Sequence, residues 1–306
     1  MYPKGTVGSN PTLSAYITTQ QNLSLMDFSI SFLNVLLFLG LGALSGLFAG
    51  MFEIGGGIII VPSLSIIFSY LGFDLADAIR IAMATSMANM IFVSISSFYS
   101  NYKLNYVVKN AFLLAMPFVL FGTITGLIFA NSIDGRTLST IFGIIMAAIA
   151  LRMILESTII RNQSRKNLRE NINKPLFASV FFLIGNLGGL TGLGGGFASV
   201  PFLSYYCMPI KEATGTSSGL TLTISLVGTL FYLINNNHSI DSPFFIGHIF
   251  WIGVLMMLPT SIIFANLGAN LKKHMQDKSL VIVFSILLTI VSFKMMFPNL
   301  FDALWK

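Results

Sequence analysis

Three consecutive glycines interrupt a long apolar run twice in this chain. The first copy reads Gly50-Met51-Phe52-Glu53-Ile54-Gly55-Gly56-Gly57-Ile58-Ile59-Ile60-Val61-Pro62-Ser63-Leu64-Ser65. The second reads Gly189-Leu190-Thr191-Gly192-Leu193-Gly194-Gly195-Gly196-Phe197-Ala198-Ser199-Val200-Pro201-Phe202-Leu203-Ser204. A Val-Pro pair follows each triplet at the same distance. Glycine weakens a helix interior and lets the backbone turn sharply, so each copy predicts a hydrophobic helix broken at the triplet. Two such breaks at corresponding places in two halves are the pattern of a transporter's binding site.

The surroundings of the triplets fix the class. Of 306 residues 55% are hydrophobic and 9% charged, where a soluble domain carries about a quarter charged. The chain is therefore expected to be an integral membrane protein, with room for roughly eight to ten segments at about 20 residues per crossing. The 28 phenylalanines suit a lipid-facing surface. A net charge of +6 would suggest nucleic acid in a soluble chain, but here the basic residues fall in loops, where membrane orientation accounts for them. Nucleic acid is thus not an expected partner. Cys207 is the only cysteine, which rules out an intrachain disulfide.

Residues 1–27 are polar, with Lys4 their only basic residue, and read as a tail rather than a signal peptide. Apolar runs follow at about 28–52, 57–71, 79–100, 110–131 and 137–156, and again at about 175–191, 196–210, 213–235, 244–269 and 279–298. The expected organisation is a first membrane repeat over 28–158, a basic linker over 159–174, a second repeat over 175–298 and a short tail over 299–306. The halves align beyond the glycines. Ala84-Thr85-Ser86 matches Gly215-Thr216-Ser217, Pro117 and Gly126 match Pro259 and Gly268, and Arg152-Met153 match Lys294-Met295.

Arg161, Arg165, Lys166, Arg169 and Lys174 place the linker in the cytoplasm by the positive-inside rule. Counting outwards, the loops holding Lys103 to Lys109, Lys211, and Lys272, Lys273 and Lys278 also fall inside. Those holding Asp74, Asp77 and Arg80, Asp134 and Arg136, and Asp241 fall outside. This works only if the segments flanking each triplet form a down-and-up pair. Both termini are then extracytoplasmic and the two five-segment repeats are inverted. The expected fold is an all-α polytopic membrane protein with glycine-interrupted hairpins meeting near the midplane. The segments after the triplets, about 12 to 15 residues, reach roughly 18 to 22 Å against a core of about 30 Å. They should begin inside the membrane, beside a cavity that tolerates non-helical backbone.

On the paired motifs Gly50, Ile54 to Gly57 with Val61-Pro62-Ser63-Leu64, Gly189, Leu193 to Gly196 with Val200-Pro201-Phe202-Leu203, and Gly215-Thr216-Ser217, the chain resembles the sulfite exporter TauE/SafE family, from about Ser29 to Phe297. The resemblance implies a multi-pass transporter of small sulfur-containing or organic anions, such as sulfite, sulfonates or sulfoacetate, in a bacterial inner membrane. Its partners would be that anion and the lipid bilayer, with a homo-oligomer left open. The family commonly has Gly where this chain has Glu53; the second half keeps Gly192 there.

Candidate site residues follow. Gly55, Gly56, Gly57, Gly194, Gly195 and Gly196 precede short helices whose first amides and positive dipole ends could seat an anion. Close helix packing is the competing role for glycine, and Gly42, Gly46 and Gly50 at intervals of four suggest it. Thr85, Ser86, Thr216 and Ser217 offer hydroxyl donors, or cap and pack helices instead. Asn89, Asn186 and Thr191 are further candidates of this kind. Glu53, an ionisable group at depth, is either a proton-coupling residue with a raised pKa or a neutral lock on the break. Arg152 and Lys294 lie near membrane faces, where long basic side chains reach to water. No catalytic residue, metal site or cofactor is expected: no His/Cys/Asp/Glu cluster has ligand spacing, and no Gly-Lys-Ser/Thr follows the glycines. The enzyme alternative is an intramembrane hydrolase with Ser217 in a Gly-x-Ser-x-Gly pattern and His248 as base, which needs a strand-turn-helix elbow. A non-transporting membrane scaffold is the third class.

Overall fold

The computed structural model describes residues 32–52, 55–158, 174–205, 208–235, 243–271 and 277–296. Glu53, Cys207, both expected tails and all of the basic linker but Lys174 lie outside the described residues.

Among the described residues, five helices come before the linker and five after it. They are α1 Phe32–Phe52, α2 Gly57–Tyr70, α3 Leu75–Lys103, α4 Lys109–Ser132 and α5 Gly135–Thr158, then α6 Lys174–Thr191, α7 Gly196–Tyr205, α8 Ile210–Ile234, α9 Trp251–Leu271 and α10 Asp277–Met296. Seven of them are long and apolar enough to cross a membrane. The two that follow the triplets are short: α2 has 14 residues and α7 has 10, about 21 and 15 Å at 1.5 Å per residue. Large apolar side chains such as Leu33, Leu113, Phe121, Leu183, Leu255 and Ile263 are exposed on the outer helices. That is the arrangement expected where lipid, not water, is the solvent.

The packing repeats when the halves are exchanged. First helix lies along fourth of the other half, α1 on α9 and α4 on α6, while α3 faces α8 and α5 faces α10. Bare backbone makes the two flanking pairs close. A Cβ on Gly46 or Gly50 would overlap the carbonyls of Ser261 or Ala265, and one on Gly185 or Gly189 would overlap those of Val119 or Thr123. Gly268 against Leu47 is repeated by Gly126 against Asn186. Gly42, Gly46 and Gly50 are therefore helix-packing glycines, as their spacing suggests. The paired α3 and α8 form the interior: Ala78 to Met90 of α3 and Ala213 to Leu220 of α8 are continuously buried.

Two details differ from the sequence reading. The apolar run at 244–269 does not open as helix. It begins with an antiparallel hairpin pairing Phe245 with Phe250 and Ile246 with Ile249, turned at Gly247 with φ +62°. Arg80 is not in an outer loop; it is a buried residue of α3. Its Nη2 donates to the Asn131 and Ile133 carbonyls at 3.2 and 3.0 Å, where the negative end of the α4 dipole favours a cation.

Candidate functional site

Each triplet needs conformations that residues with a Cβ avoid. Gly55 and Gly56 have φ of +82° and +71°, and Gly192 and Gly194 have φ of +69° and +79°. A left-handed backbone there stops the incoming helix and restarts the chain in a new direction.

The two breaks meet. A Cβ on Gly57 would overlap the Gly192 carbonyl and stand 3.0 Å from Leu193 Cα. On Gly55 it would stand 3.0 Å from the Leu193 carbonyl oxygen. Met90 of α3 and Thr221 of α8, equivalent positions in the two halves, touch both triplets. Met90 Sδ would be 2.6 Å from a Cβ on Gly55 and 3.4 Å from one on Gly194, and Thr221 Cγ2 would be 3.3 and 2.9 Å from them. Only glycine allows so close an approach.

The hydrogen bonds of the short helices begin late. Ile59 and Ile60 N–H donate to Gly56, and Ala198 and Ser199 N–H donate to Gly195. The amides of Gly57, Ile58, Gly196 and Phe197 precede these bonds, as at any helix start, and carry the positive end of the dipole. Gly56, the residue before α2, makes no side-chain cap.

The hydroxyl and amide candidates divide. Ser86 Oγ donates to the Gly192 carbonyl at 3.3 Å, which ties α3 to the second break. Ser217 Oγ and Ser199 Oγ share a 2.6 Å hydrogen bond, and Ser199 also donates to Gly195 at 2.9 Å, which ties α8 to the same break. Thr191 Oγ1 donates to its own helix at Leu187, 2.6 Å away. Thr85 and Thr216 accept backbone N–H bonds from Phe250 and Val108 at 3.0 Å each. Asn89 is pinned to α9 by a 3.2 Å bond from Nδ2 to Ser261 Oγ. Asn186 turns away from the triplets, donating at 3.0 Å to Thr125, which is exposed on α4. Gly194 touches Thr221, whereas a Cβ on Gly195 would face Ile224 and Ile184.

A small crevice of about 20 Å³, room for one water, opens beside Gly55. Ala49 and Val93 form its apolar wall; Ser94, Ser97, Ser218 and Thr221 supply oxygens. Thr221 escapes sequence reading because its partner position is Met90, so no repeated motif marks it. The hydroxyl-rich run Thr214 to Ser225 is the one signal that could have found it. The crevice lies toward the Lys103 end of α3. Toward the Leu75 end the interior is filled by Phe38, Phe68, Phe73, Phe245 and Phe250, with ring centroids 5.3 to 6.0 Å apart between neighbours. Thr85, Ser86, Thr216 and Ser217 are fully buried; Thr85 borders the phenylalanine cluster at Phe250, and Thr216 borders the 103–109 loop at Val108.

Ser217 is an interior residue of α8, and the whole Gly215–Gly219 stretch is continuous helix. A nucleophile elbow needs a strand running into a turn.

Helices of membrane-crossing length, lipid-suited flanks and paired glycine breaks define a polytopic α-helical membrane protein. The chain belongs to the sulfite exporter TauE/SafE family, whose model matches residues 38–295. It is similar to a probable membrane transporter protein of Haemophilus influenzae, 28% identical over 264 residues that cover 85% of this chain and 97% of the relative. A probable membrane transporter protein of Methanocaldococcus jannaschii is 28% identical over 262 residues, 83% of this chain and 92% of its own. Probable membrane transporter protein YunE of Bacillus subtilis is 26% identical over 276 residues, 86% and 97% of the two chains. No solved structure matches.

Proposed function

We propose that the chain is a secondary transporter of small sulfur-containing or organic anions, such as sulfite, sulfonates or sulfoacetate, working by alternating access. The observation that carries this is the meeting of the two triplets: Gly57 rests on Gly192 and Leu193, with Thr221 touching both breaks. Two short helices then begin at one place, and their amides and dipoles favour an anion without a lysine. The reciprocal packing supports two inverted repeats rocking about that place. The small crevice on one side and the phenylalanine cluster on the other support a state less tightly closed toward the Lys103 end. By the positive-inside rule that end is cytoplasmic, with both termini outside and the membrane a bacterial inner membrane.

Glu53 joins α1 to the first triplet in sequence, and we assign it the proton-coupling role: desolvation would raise its pKa so that it binds and releases a proton in each cycle. Reconstituted protein tests both parts. Sulfite or methanesulfonate flux into proteoliposomes should follow an imposed pH step in the wild type and lose that dependence in Glu53→Gln. Flux with an unchanged pH response in the variant rejects the coupling role alone; the absence of flux of any sulfur oxyanion or carboxylate rejects the transporter reading.

A further inference from the structure

Three lysines close the ends of three helices at one face of the protein. The apolar stretches of α3, α4 and α8 end or begin at Lys103, Lys109 and Lys211. Two contacts bring those ends together: the Val108 N–H donates to Thr216 Oγ1 at 3.0 Å, and Gly215 lies bare against the Tyr106 carbonyl. All three lysines are exposed, and each ammonium sits over a tyrosine ring. Lys103 stands 4.4 Å from the Tyr99 centroid, Lys109 5.2 Å from Tyr102 and Lys211 5.8 Å from Tyr106. The last of these contacts joins the two halves of the chain. Residues 92–116 and 208–216 contain one acid, Glu212, and among the described residues no carboxylate lies within ion-pair distance of the three lysines.

A cation over an aromatic face is held by the ring quadrupole and keeps its charge for a further partner. Tyrosine and lysine are also the side chains suited to headgroup depth, where one end is apolar and the other wet. Below the charged end the surface turns apolar. Lys103, Tyr99 and Ile95 follow at intervals of four, so they stack along one face of α3; Tyr99 is 59% exposed and Ile95 48%. Lys109 and Leu113 stand in the same relation on α4, and Leu113 is 64% exposed. A column running from ammonium through phenol to bare hydrocarbon matches a phospholipid read from phosphate to acyl chain. A soluble polyanion would leave the hydrocarbon part uncovered.

We propose that the cluster of Lys103, Lys109 and Lys211 is a binding surface for anionic phospholipid, with the phosphate on the ammonium groups and exposed tyrosine hydroxyls and the acyl chains along α3 and α4. The surface stands apart from the glycine breaks and is independent of which solute the protein carries. Because Lys211 and Tyr106 come from different halves, a bound lipid holds α8 to the loop between α3 and α4 and stabilises the folded chain. Each lysine near an anionic surface is worth about fivefold in affinity, so three give on the order of a hundredfold before salt screens them.

The purified full chain in a neutral detergent is titrated with phosphatidylglycerol and with phosphatidylcholine of the same acyl chains. Its thermal midpoint is followed, since a ligand of the folded state raises it by mass action. Phosphatidylglycerol is expected to half-saturate at a concentration at least about tenfold lower than phosphatidylcholine. Lys103→Gln, Lys109→Gln and Lys211→Gln combined should abolish that preference, whereas arginine at the same three positions should keep it. Lys272→Gln, Lys273→Gln and Lys278→Gln combined remove the same charge elsewhere in the chain and should leave the preference unchanged. An equal response to the two lipids, a preference that survives the first glutamine variant, or one lost equally in the second overturns the inference. So does glycerol 3-phosphate raising the midpoint as far as the lipid does, the mark of a site for soluble anions. None of these outcomes bears on the anion-transporter reading, which the flux measurement tests. Should the first glutamine variant fail to fold, the wild-type comparison of the two lipids still decides.

Discussion

Thr85 Oγ1 accepts a hydrogen bond from the Phe250 backbone N–H at 3.0 Å, and Thr216 Oγ1 accepts the equivalent bond from Val108 N–H, also at 3.0 Å. Each threonine belongs to the third helix of its half. Each accepting oxygen satisfies an amide just before the fourth helix of the other half, at Lys109 or Trp251. The two halves thus hold each other's helices in register.

Replacing either threonine by valine leaves a buried or half-buried amide without its acceptor. Thr85→Val and Thr216→Val should each lower unfolding stability by roughly 1–3 kcal/mol, and serine at either site should recover most of it. Denaturant titration in detergent measures this; valine variants as stable as serine variants would show that the bonds contribute nothing.

The packing glycines have their own signature. Gly46→Ala and Gly185→Ala force a methyl against the Ser261 and Val119 carbonyls, and should each cost roughly 1–3 kcal/mol. Gly40 has nothing within 4 Å of its would-be Cβ, so Gly40→Ala should be neutral or stabilising by up to about 1 kcal/mol. Thermal midpoints of the three variants test the contrast, and equal shifts would contradict it.

The two kinds of glycine explain how much could be read in advance. Positive-φ glycines such as Gly56 and Gly194 disrupt apolar runs, so the ten segments and the duplicated motif are visible as interruptions in composition. The reciprocal fit of Gly46 on Ser261 and Gly185 on Val119 is tertiary; spacing at four residues hints at packing but not at the partner. Hydroxyl roles are less legible still. Thr85, Ser86, Ser217 and Thr221 are all small polar residues on helices, and sequence does not say whether a hydroxyl faces a carbonyl, a neighbouring amide or open space. Thr85 faces the Phe250 amide and Thr221 faces the crevice, a difference decided by helix rotation. The hairpin at 245–250 hides inside an apolar run because its residues suit strand and helix equally.

At the breaks, function should fail before folding. Gly56→Ala and Gly194→Ala place a Cβ on residues with φ of +71° and +79°, at a cost of roughly 1–2 kcal/mol each. Gly194→Ala also presses on Thr221, 2.9 Å from the new methyl. Anion uptake per folded molecule should therefore drop by far more than the midpoint shift implies. Variants that lose stability but keep full uptake would place the seat elsewhere.

One pH effect lies outside the membrane segments. Asp134 accepts bonds from Thr137 Oγ1 at 2.6 Å and Thr137 N–H at 2.9 Å. The hydroxyl bond first and the amide bond second hold its carboxyl below the usual carboxylate range. A depressed folded pKa means the stabilising contribution is present above the ordinary carboxylate pKa and is lost as pH falls through the lowered one. Amide exchange at Thr137 should accelerate on acidification over that window beyond its intrinsic pH trend, and Asp134→Asn should remove the excess; identical profiles would refute the cap.

The central claim is that one anion seat lies where the two glycine breaks meet, and a bound heavy-atom ligand tests it most directly. Crystals grown with bromomethanesulfonate should show an anomalous bromine peak beside Gly55, Gly194 and Thr221. Bromine found bound within the protein at another place, with none at the breaks, would contradict the account.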